Sequence, residues 1–427
     1  ASTGRQSLAL GNWPLPYAIE FAADGLSAAF VLVAALLGLA VQLYRLGVSG
    51  TAASPWQDAF LHGLLASVAA VFLAADLFNL YVWFELMLIC GLGLLVLGGE
   101  GRHLEAAFKY FVLSMLGTLL LLAAVALIHG VSGHLNFTAL RASAVPPGFV
   151  GLLLLALLLK AGAFPLFAWL PASYHTLPIP MLALVGGLLT KVAAYVMLRL
   201  LGEVFVLTPA WLLDALGWLA IVTMLVGVFG AAYHWDLRRI LAFHIVSQIG
   251  YLLLGVALAS PAGAAGAAYF MAHNILVKAN LFLIAGMMWH AAGHPDLRRI
   301  GGLYLASPVL ALLFLISAFS LVGVPPSSGF WGKFLLLREA FAQGHFVWGG
   351  LALAVGLLTL YSMSKIWVEG FWKPHPAGAA AFVPIPVAAY AVVTLLSVCI
   401  LVLGLFPEPF IRFAGAATAT FHMGGGS

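Results

Sequence analysis

An all-α polytopic membrane protein is the fold class this sequence predicts, on three observations. Charged residues make up only 7% of the 427 residues and hydrophobic residues 64%, with a mean hydropathy of +1.10, whereas soluble domains carry about 25% charged residues. The apolar residues fall in runs of roughly 18 to 25, the length a helix needs to cross a hydrocarbon core. Those runs lack the period-two alternation of barrel strands, and the 46 glycines, with abundant Ala and Ser, suit helices packing closely where Leu gains nothing over lipid.

Taken in order, the apolar windows place spans near 24–46, 58–77, 80–97, 104–129, 149–167, 179–200, 210–231, 240–258, 264–288, 308–337, 346–369 and 384–405, about twelve in all. A segment 1–23 precedes the transmembrane domain 24–405, a segment 406–422 follows it, and 423–427 resembles an appended linker. Two spans read as broken. The run 149–167 leads into Pro165, Pro171, Pro178 and Pro180, and the run 308–337 is interrupted by Gly323, Pro325, Pro326 and Gly329. Proline-interrupted spans occur where freed carbonyls line a cavity, as in ion sites of transporters. The two breaks lie about 160 residues apart, each with a lysine, and suggest related halves near 58–200 and 210–370.

An internal echo, HWDLRRI at 234–240 and HPDLRRI at 294–300, falls two spans apart and hence on one membrane face. That face also carries Arg45, Arg102 and Lys373, against Arg5, Arg141, Arg199, Arg338 and Arg412 on the other. The positive-inside rule then puts the double-arginine loops in the cytoplasm and both termini outside. Tryptophans 56, 235, 289, 367 and 372 sit near span ends, as interfacial anchors do.

Cys90 and Cys399 stand alone in apolar runs, with no CxxC and no histidine cluster at ligand spacing, so no iron–sulfur centre, zinc site, haem or other cofactor is expected. No phosphate-cradling glycine loop is present. The polar connections are too short for a soluble domain. This argues against an enzyme acting on a soluble substrate, and the net charge of +4, borne mostly by loops, points away from nucleic acid.

Five ionisable residues lie well inside spans: Glu85, Lys160, Lys191, Lys278 and Lys333. A charge at mid-membrane costs about 2.5–3.5 kcal/mol on insertion scales, and such residues face protein or water and do a job. An ammonium in a low dielectric gives up its proton more readily, and a nearby carboxylate opposes this. The residues therefore imply an ion pathway that loads and releases protons. A single buried histidine is ordinarily a satisfied core group, but His273, five residues before Lys278, His244, beside Ser247 and Gln248, and His175, among the prolines of the first break, are candidates for a proton wire. Asp76, at a span end, is a candidate cap or partner of a loop arginine.

The signatures DLFNLYVWFE (76–85), LLKAGAFPLFAWLPASYHTLP (158–178), GLLTKVAAYVMLR (187–199), DLRRILAFHIVSQIGYLLLG (236–255), AHNILVKANLFLIAG (272–286) and LVGVPPSSGFWGKF (321–334) resemble the antiporter-like subunits of respiratory complex I, membrane-bound hydrogenases and Mrp-type antiporters. The likeness runs from about Gly11 to Phe413. LGNWPLPY (10–17), FWGKFLLLREA (330–340) and LLTLYSMSKIWVEGFWKPHP (357–376) look most like the D subunits of the Mrp type, and Phe167 and Ala172 depart from the complex I pattern HTWLPDAH. The resemblance implies fourteen helices with two inverted five-helix repeats, each holding a broken helix. Twelve are read here, so the family's first two would precede Gly11. It further implies that Glu85 matches the family's essential glutamate, Lys160 the lysine of the first broken helix and Lys191 the bridging lysine. Lys278 matches the central lysine of the second half and Lys333 that of the second broken helix. The expected function is proton translocation within a multisubunit Na⁺/H⁺ antiporter in a prokaryotic plasma membrane, with other membrane subunits, H⁺, Na⁺ and lipid as partners. The alternative is a proton-pumping subunit of a redox-driven complex.

Overall fold

The computed structural model describes residues 4–49, 54–376, 382–419 and 421, so the linker-like 423–427 lies outside the described residues. The chain opens with an antiparallel hairpin, β1 (Gln6–Ala9) and β2 (Glu20–Ala23). Helices follow: α1 (Gly25–Ser49), α2 (Pro55–Leu73), α3 (Leu77–Val96), α4 (Gly101–Ser132), α5 (Phe137–Leu140), α6 (Pro147–Ala161), α7 (Trp169–Ser173), α8 (Ile179–Arg199) and α9 (Ala210–Tyr233). The second part holds α10 (Leu237–Ala257), α11 (Pro261–Ala292), α12 (Leu303–Ala306), α13 (Pro308–Val322), α14 (Ser328–Ala342), α15 (Phe346–Trp367), α16 (Val387–Leu405) and α17 (Pro407–Thr418). Among the described residues ten helices are long and apolar enough to cross a membrane, while α6 and α13 are shorter apolar helices.

Local sequence fixes where these helices begin and end. Asp76 and Asp236 cap α3 and α10 by accepting from two backbone N–H groups each, so Asp76 is a helix cap. Proline, whose missing N–H costs nothing in a first turn, opens α6, α11, α13 and α17. The expected run 149–167 stops as a helix at Ala161, because Gly162 takes the left-handed region (φ 74°) and redirects the chain into α7. The run 308–337 breaks likewise at Gly323 (φ 91°), leaving α13 and α14 as separate pieces. A side chain with a Cβ is strained at such φ values.

Helices apolar on all sides are buried, and striped ones face outward. In the apolar windows of α8, α10 and α11, 100%, 94% and 83% of residues are buried, against 33–50% in the other long helices. These three pack against one another at the centre, enclosed by the rest. The sequence reading left 1–23 and 406–422 without structure. The hairpin is tied to the bundle by the Glu20 carbonyl, which accepts from Ala75 N–H, and by Asn136 Nδ2, which donates to Glu20 Oε2 at 2.6 Å. Helix α17 lies against α1 and α11.

A second contact of note joins α9 to α10, where Gly227 meets Ser247 so closely that a Cβ would stand 2.3 Å from the Ser247 nitrogen and 2.7 Å from its Cα. Overpacking of this kind costs about 1–3 kcal/mol. Gly227→Ala is therefore expected to lower the thermal unfolding midpoint in detergent, read by fluorescence-detected size exclusion, and Gly130→Ala, which meets nothing within 4 Å, to leave it in place.

Candidate functional site

The buried amines lie on the elements that burial selects. Lys191 on α8 and Lys278 on α11 are fully buried, and Lys333 on α14 is 6% exposed. Each meets neutral acceptors. Lys191 Nζ donates to the Gly186 carbonyl at 2.8 Å, and Lys278 Nζ to the Leu241 carbonyl of α10 at 3.5 Å. Lys333 Nζ donates to the Leu321 and Val322 carbonyls at 3.0 and 2.8 Å, the last residues of α13, and stands 4.8 Å from the Tyr251 ring centroid. The second break is thus closed by the lysine beyond it. Lys278 is within electrostatic reach of both Lys191 and Lys333, so these three form one cluster.

Two histidines join it. His244 Nε2 and the Ser362 hydroxyl of α15 are 2.9 Å apart, and His273 Nδ1 and the Ser328 hydroxyl of α14 are also 2.9 Å apart. The Ser328 hydroxyl lies 2.8 Å from that of Ser320, so the hydroxyls bridge the break between α13 and α14. The second ring nitrogen of each histidine has no protein partner, nor do the side chains of Ser247, Gln248 and Asn274. Buried polar atoms are ordinarily hydrogen-bonded to protein or water, and the two histidines are within electrostatic reach of Lys278 and Lys333.

Glu85 and Lys160 lie apart from that cluster, toward α3 and α6, and both are partly buried. They are within electrostatic reach of each other but not paired. Lys160 Nζ donates to the Thr118 hydroxyl of α4 at 2.6 Å and stands 5.4 Å from the Phe84 ring centroid. Glu85 Oε1 is buried without a partner.

The structure does not bring His175 to the lysines. It sits outside the long helices, its Nδ1 3.0 Å from the Pro171 carbonyl and its Nε2 3.4 Å from Arg239. Burial, and then the Arg239 guanidinium, push its imidazole below the usual histidine range. Together with Arg239 and Trp289 it lines a cavity of about 800 Å³.

The two DLRR loops meet on this face. Leu237 N–H donates to the Pro295 carbonyl and Leu297 N–H to that of Trp235, both at 3.0 Å. Arg238 forks onto Asp236 and Arg298 onto Asp296. The Arg298 hydrogen bond holds the Asp296 carboxyl at about 2. Burial alone would raise Asp236, but Arg238 and two backbone N–H groups hold it below the usual range. The guanidiniums also lie over Trp289 and Trp235, at 4.7 and 5.8 Å. Guanidiniums over ring faces at these distances are cation–π contacts.

Sequence reasoning passed over Lys365. Its Nζ donates to the Ala232 and His234 carbonyls at 2.7 and 2.6 Å and caps the end of α9. It also missed the hydroxyls of Thr118, Ser320, Ser328 and Ser362, since a lone serine or threonine in an apolar run gives no signal until its helix is placed.

The chain matches the family described as NADH:quinone oxidoreductase/Mrp antiporter, TM, over residues 74–359. It is 38% identical over 417 residues to the D subunit of the Na(+)/H(+) antiporter of Alkalihalophilus pseudofirmus, covering 95% of this chain and 84% of that protein. Likeness to the corresponding D subunit of Bacillus subtilis is 39% over 377 residues, 86% of this chain and 76% of the other. Among solved structures, a chain of the Mrp complex from Dietzia sp. superposes with a TM-score of 0.90 at 30% identity, over 98% of this chain and 87% of that one. A chain of respiratory complex I from Thermus thermophilus gives 0.87 at 28% identity, over 99% and 91%.

The paired loops carry a stability prediction. Replacing an N-cap aspartate by alanine costs about 1 kcal/mol, whereas asparagine caps nearly as well. Asp236→Ala is expected to lower the unfolding midpoint and Asp236→Asn to retain most of it, measured by thermal unfolding of the purified protein.

Proposed function

Because the chain belongs to the NADH:quinone oxidoreductase/Mrp antiporter transmembrane family, we propose that it is the proton-translocating subunit of a multisubunit monovalent cation/proton antiporter, in keeping with the names of its D-subunit relatives. One observation carries the reading: the amines and imidazoles of Lys191, His244, His273, Lys278 and Lys333 are gathered on and beside the three most buried helices. In a bilayer this is the region where a titratable group reaches protein and water instead of lipid.

In this scheme a proton is taken up in the half containing Glu85 and Lys160, passes Lys191, crosses to Lys278 along waters held by the unpartnered groups of His244, Gln248, His273 and Asn274, and leaves by Lys333. His175 stands at the mouth on the double-arginine face. A carboxylate about 4 Å from an ammonium is worth about 4 kcal/mol at an effective dielectric near 20. Closing the Glu85–Lys160 pair therefore holds the proton on Lys160, and opening it favours transfer onward.

The architecture proposed with it has twelve crossings, the pieces around each break acting together as one, and two inverted five-helix repeats near 58–200 and 210–370. Matching features recur 160 residues apart: Gly101–Ser132 and Pro261–Ala292, the caps Asp76 and Asp236, and the caps Asn136 and Asp296. Helices α6 and α13 each run 15 residues to a left-handed glycine, and α8 and α15 each end in a five-residue π-helix. With five crossings between Asp76 and Asp236, the matched caps fall on opposite faces. The basic loops put the second face in the cytoplasm and both termini outside. The setting is a bacterial plasma membrane, with other membrane subunits, lipid, H⁺ and Na⁺ as partners.

The test is Na⁺-dependent discharge of a pH gradient in vesicles holding the full complex, with no redox substrate. Glu85→Ala and Lys160→Ala are expected to abolish the response while the variant chain still co-purifies with its partners. Wild-type exchange in either variant overturns the scheme, and discharge that requires an electron donor favours a redox-driven pump.

A further inference from the structure

Lys160 leaves the last turn of α6 and lies along α4, where Gly117 lets the two helices close up: a Cβ there would stand 2.9 Å from Leu159 Cδ2 and 3.5 Å from Lys160 Cγ. The next residue, Thr118, is 1% exposed, and its hydroxyl donates to the Ser114 carbonyl one turn back at 3.1 Å. A threonine hydroxyl has one proton and two lone pairs. With the proton committed to its own helix, Oγ1 offers an acceptor, and Lys160 Nζ occupies it at 2.6 Å.

The surroundings leave this seat and Glu85 as the two options. Glu85 on α3 is the charged group acting on Lys160. Helix α4 offers the Thr118 oxygen, and α8, which also packs on α6, carries Lys191 with its ammonium on the Gly186 carbonyl. Lys160 is seated on the neutral acceptor while Glu85 Oε1 lacks a partner. A carboxylate is the stronger acceptor for an ammonium, so the neutral seat defines the open arrangement of the pair.

We propose that Thr118 is a positioning residue for ion exchange, its hydroxyl oxygen forming a second, uncharged seat for the Lys160 ammonium, which alternates between Thr118 and Glu85. This rests on the proton-translocation reading above. Without the second seat the ammonium stays with Glu85, and its proton leaves only when protons in solution are scarcer, so exchange shifts to more alkaline pH.

The experiment measures Na⁺-dependent pH-gradient discharge against pH in vesicles holding the full complex. Thr118→Ala is expected to move the midpoint of the profile up by about one pH unit, the size that one hydrogen bond to a charged group supplies. Thr118→Ser, which returns the oxygen, is expected to restore the wild-type profile. Thr118→Val keeps the shape and serves in place of alanine if that variant fails to co-purify with the partner subunits. Coincident profiles for the serine and the hydroxyl-free variants overturn the proposal, because packing alone moves rate or yield and not the midpoint. Lys160→Ala separates the two levels. Exchange retained there overturns the proton-translocation reading itself, whereas exchange lost there with coincident Thr118 profiles overturns only the second seat.

Discussion

An ammonium placed in hydrocarbon loses its hydration, and almost everything in this molecule follows from avoiding that loss. At about 2.5–3.5 kcal/mol for each such residue on insertion scales, several lysines together cost an amount comparable with the whole stability of an ordinary domain. Helices α8, α10 and α11 are sealed from lipid by the others, and Lys191, His244, His273 and Lys278 all lie on them. Lys333 reaches the same interior from α14. The ring of striped helices is the insulation that these charges require.

Within the insulation the acceptors are chosen differently from those at the membrane faces. Arg199 meets Asp24 and Glu203, Arg238 meets Asp236, and Arg298 meets Asp296. Each guanidinium is fixed by a carboxylate near a helix end. The interior lysines meet carbonyls and hydroxyls instead, and among the described residues Glu85 is the acidic one set well within a span. Arginine forks and carboxylates make rigid joints. An ammonium on neutral oxygens is held in place while keeping a proton it can lose.

Much of this was legible in the sequence because hydrophobic run length and the rarity of charge are strong signals. The five charged residues stood out against apolar surroundings, and the two breaks were marked by Pro165 and Pro171 and by Gly323, Pro325 and Pro326. The exact stopping points were not, since Gly162 and Gly323 end helices through a left-handed φ that nearby prolines only hint at. The hairpin escaped notice because strands of four residues are shorter than any periodicity test can read. His175 stood among the right prolines, but the turn after α7 leaves it partly buried beside Arg239, away from the lysines. Lys365 was hidden by its position in the last turn of α15, where a lysine ordinarily reaches for the interface. The DLRR echo was visible as a repeat, but its contact across one face required α10 and α11 to be antiparallel neighbours.

Lys333 and Lys365 both close the end of a helix, yet they differ in what they can give away. A protonated amine has three N–H groups and a neutral one has two. Lys365 lies within reach of three carbonyls, those of Ala231, Ala232 and His234, so every hydrogen is engaged and the cap and the charge are one object. Lys333 serves two, those of Leu321 and Val322. Two hydrogens are enough for both bonds, so the break between α13 and α14 is held whether the amine carries two hydrogens or three. Holding the helix end together and carrying the charge are thereby separable within a single side chain.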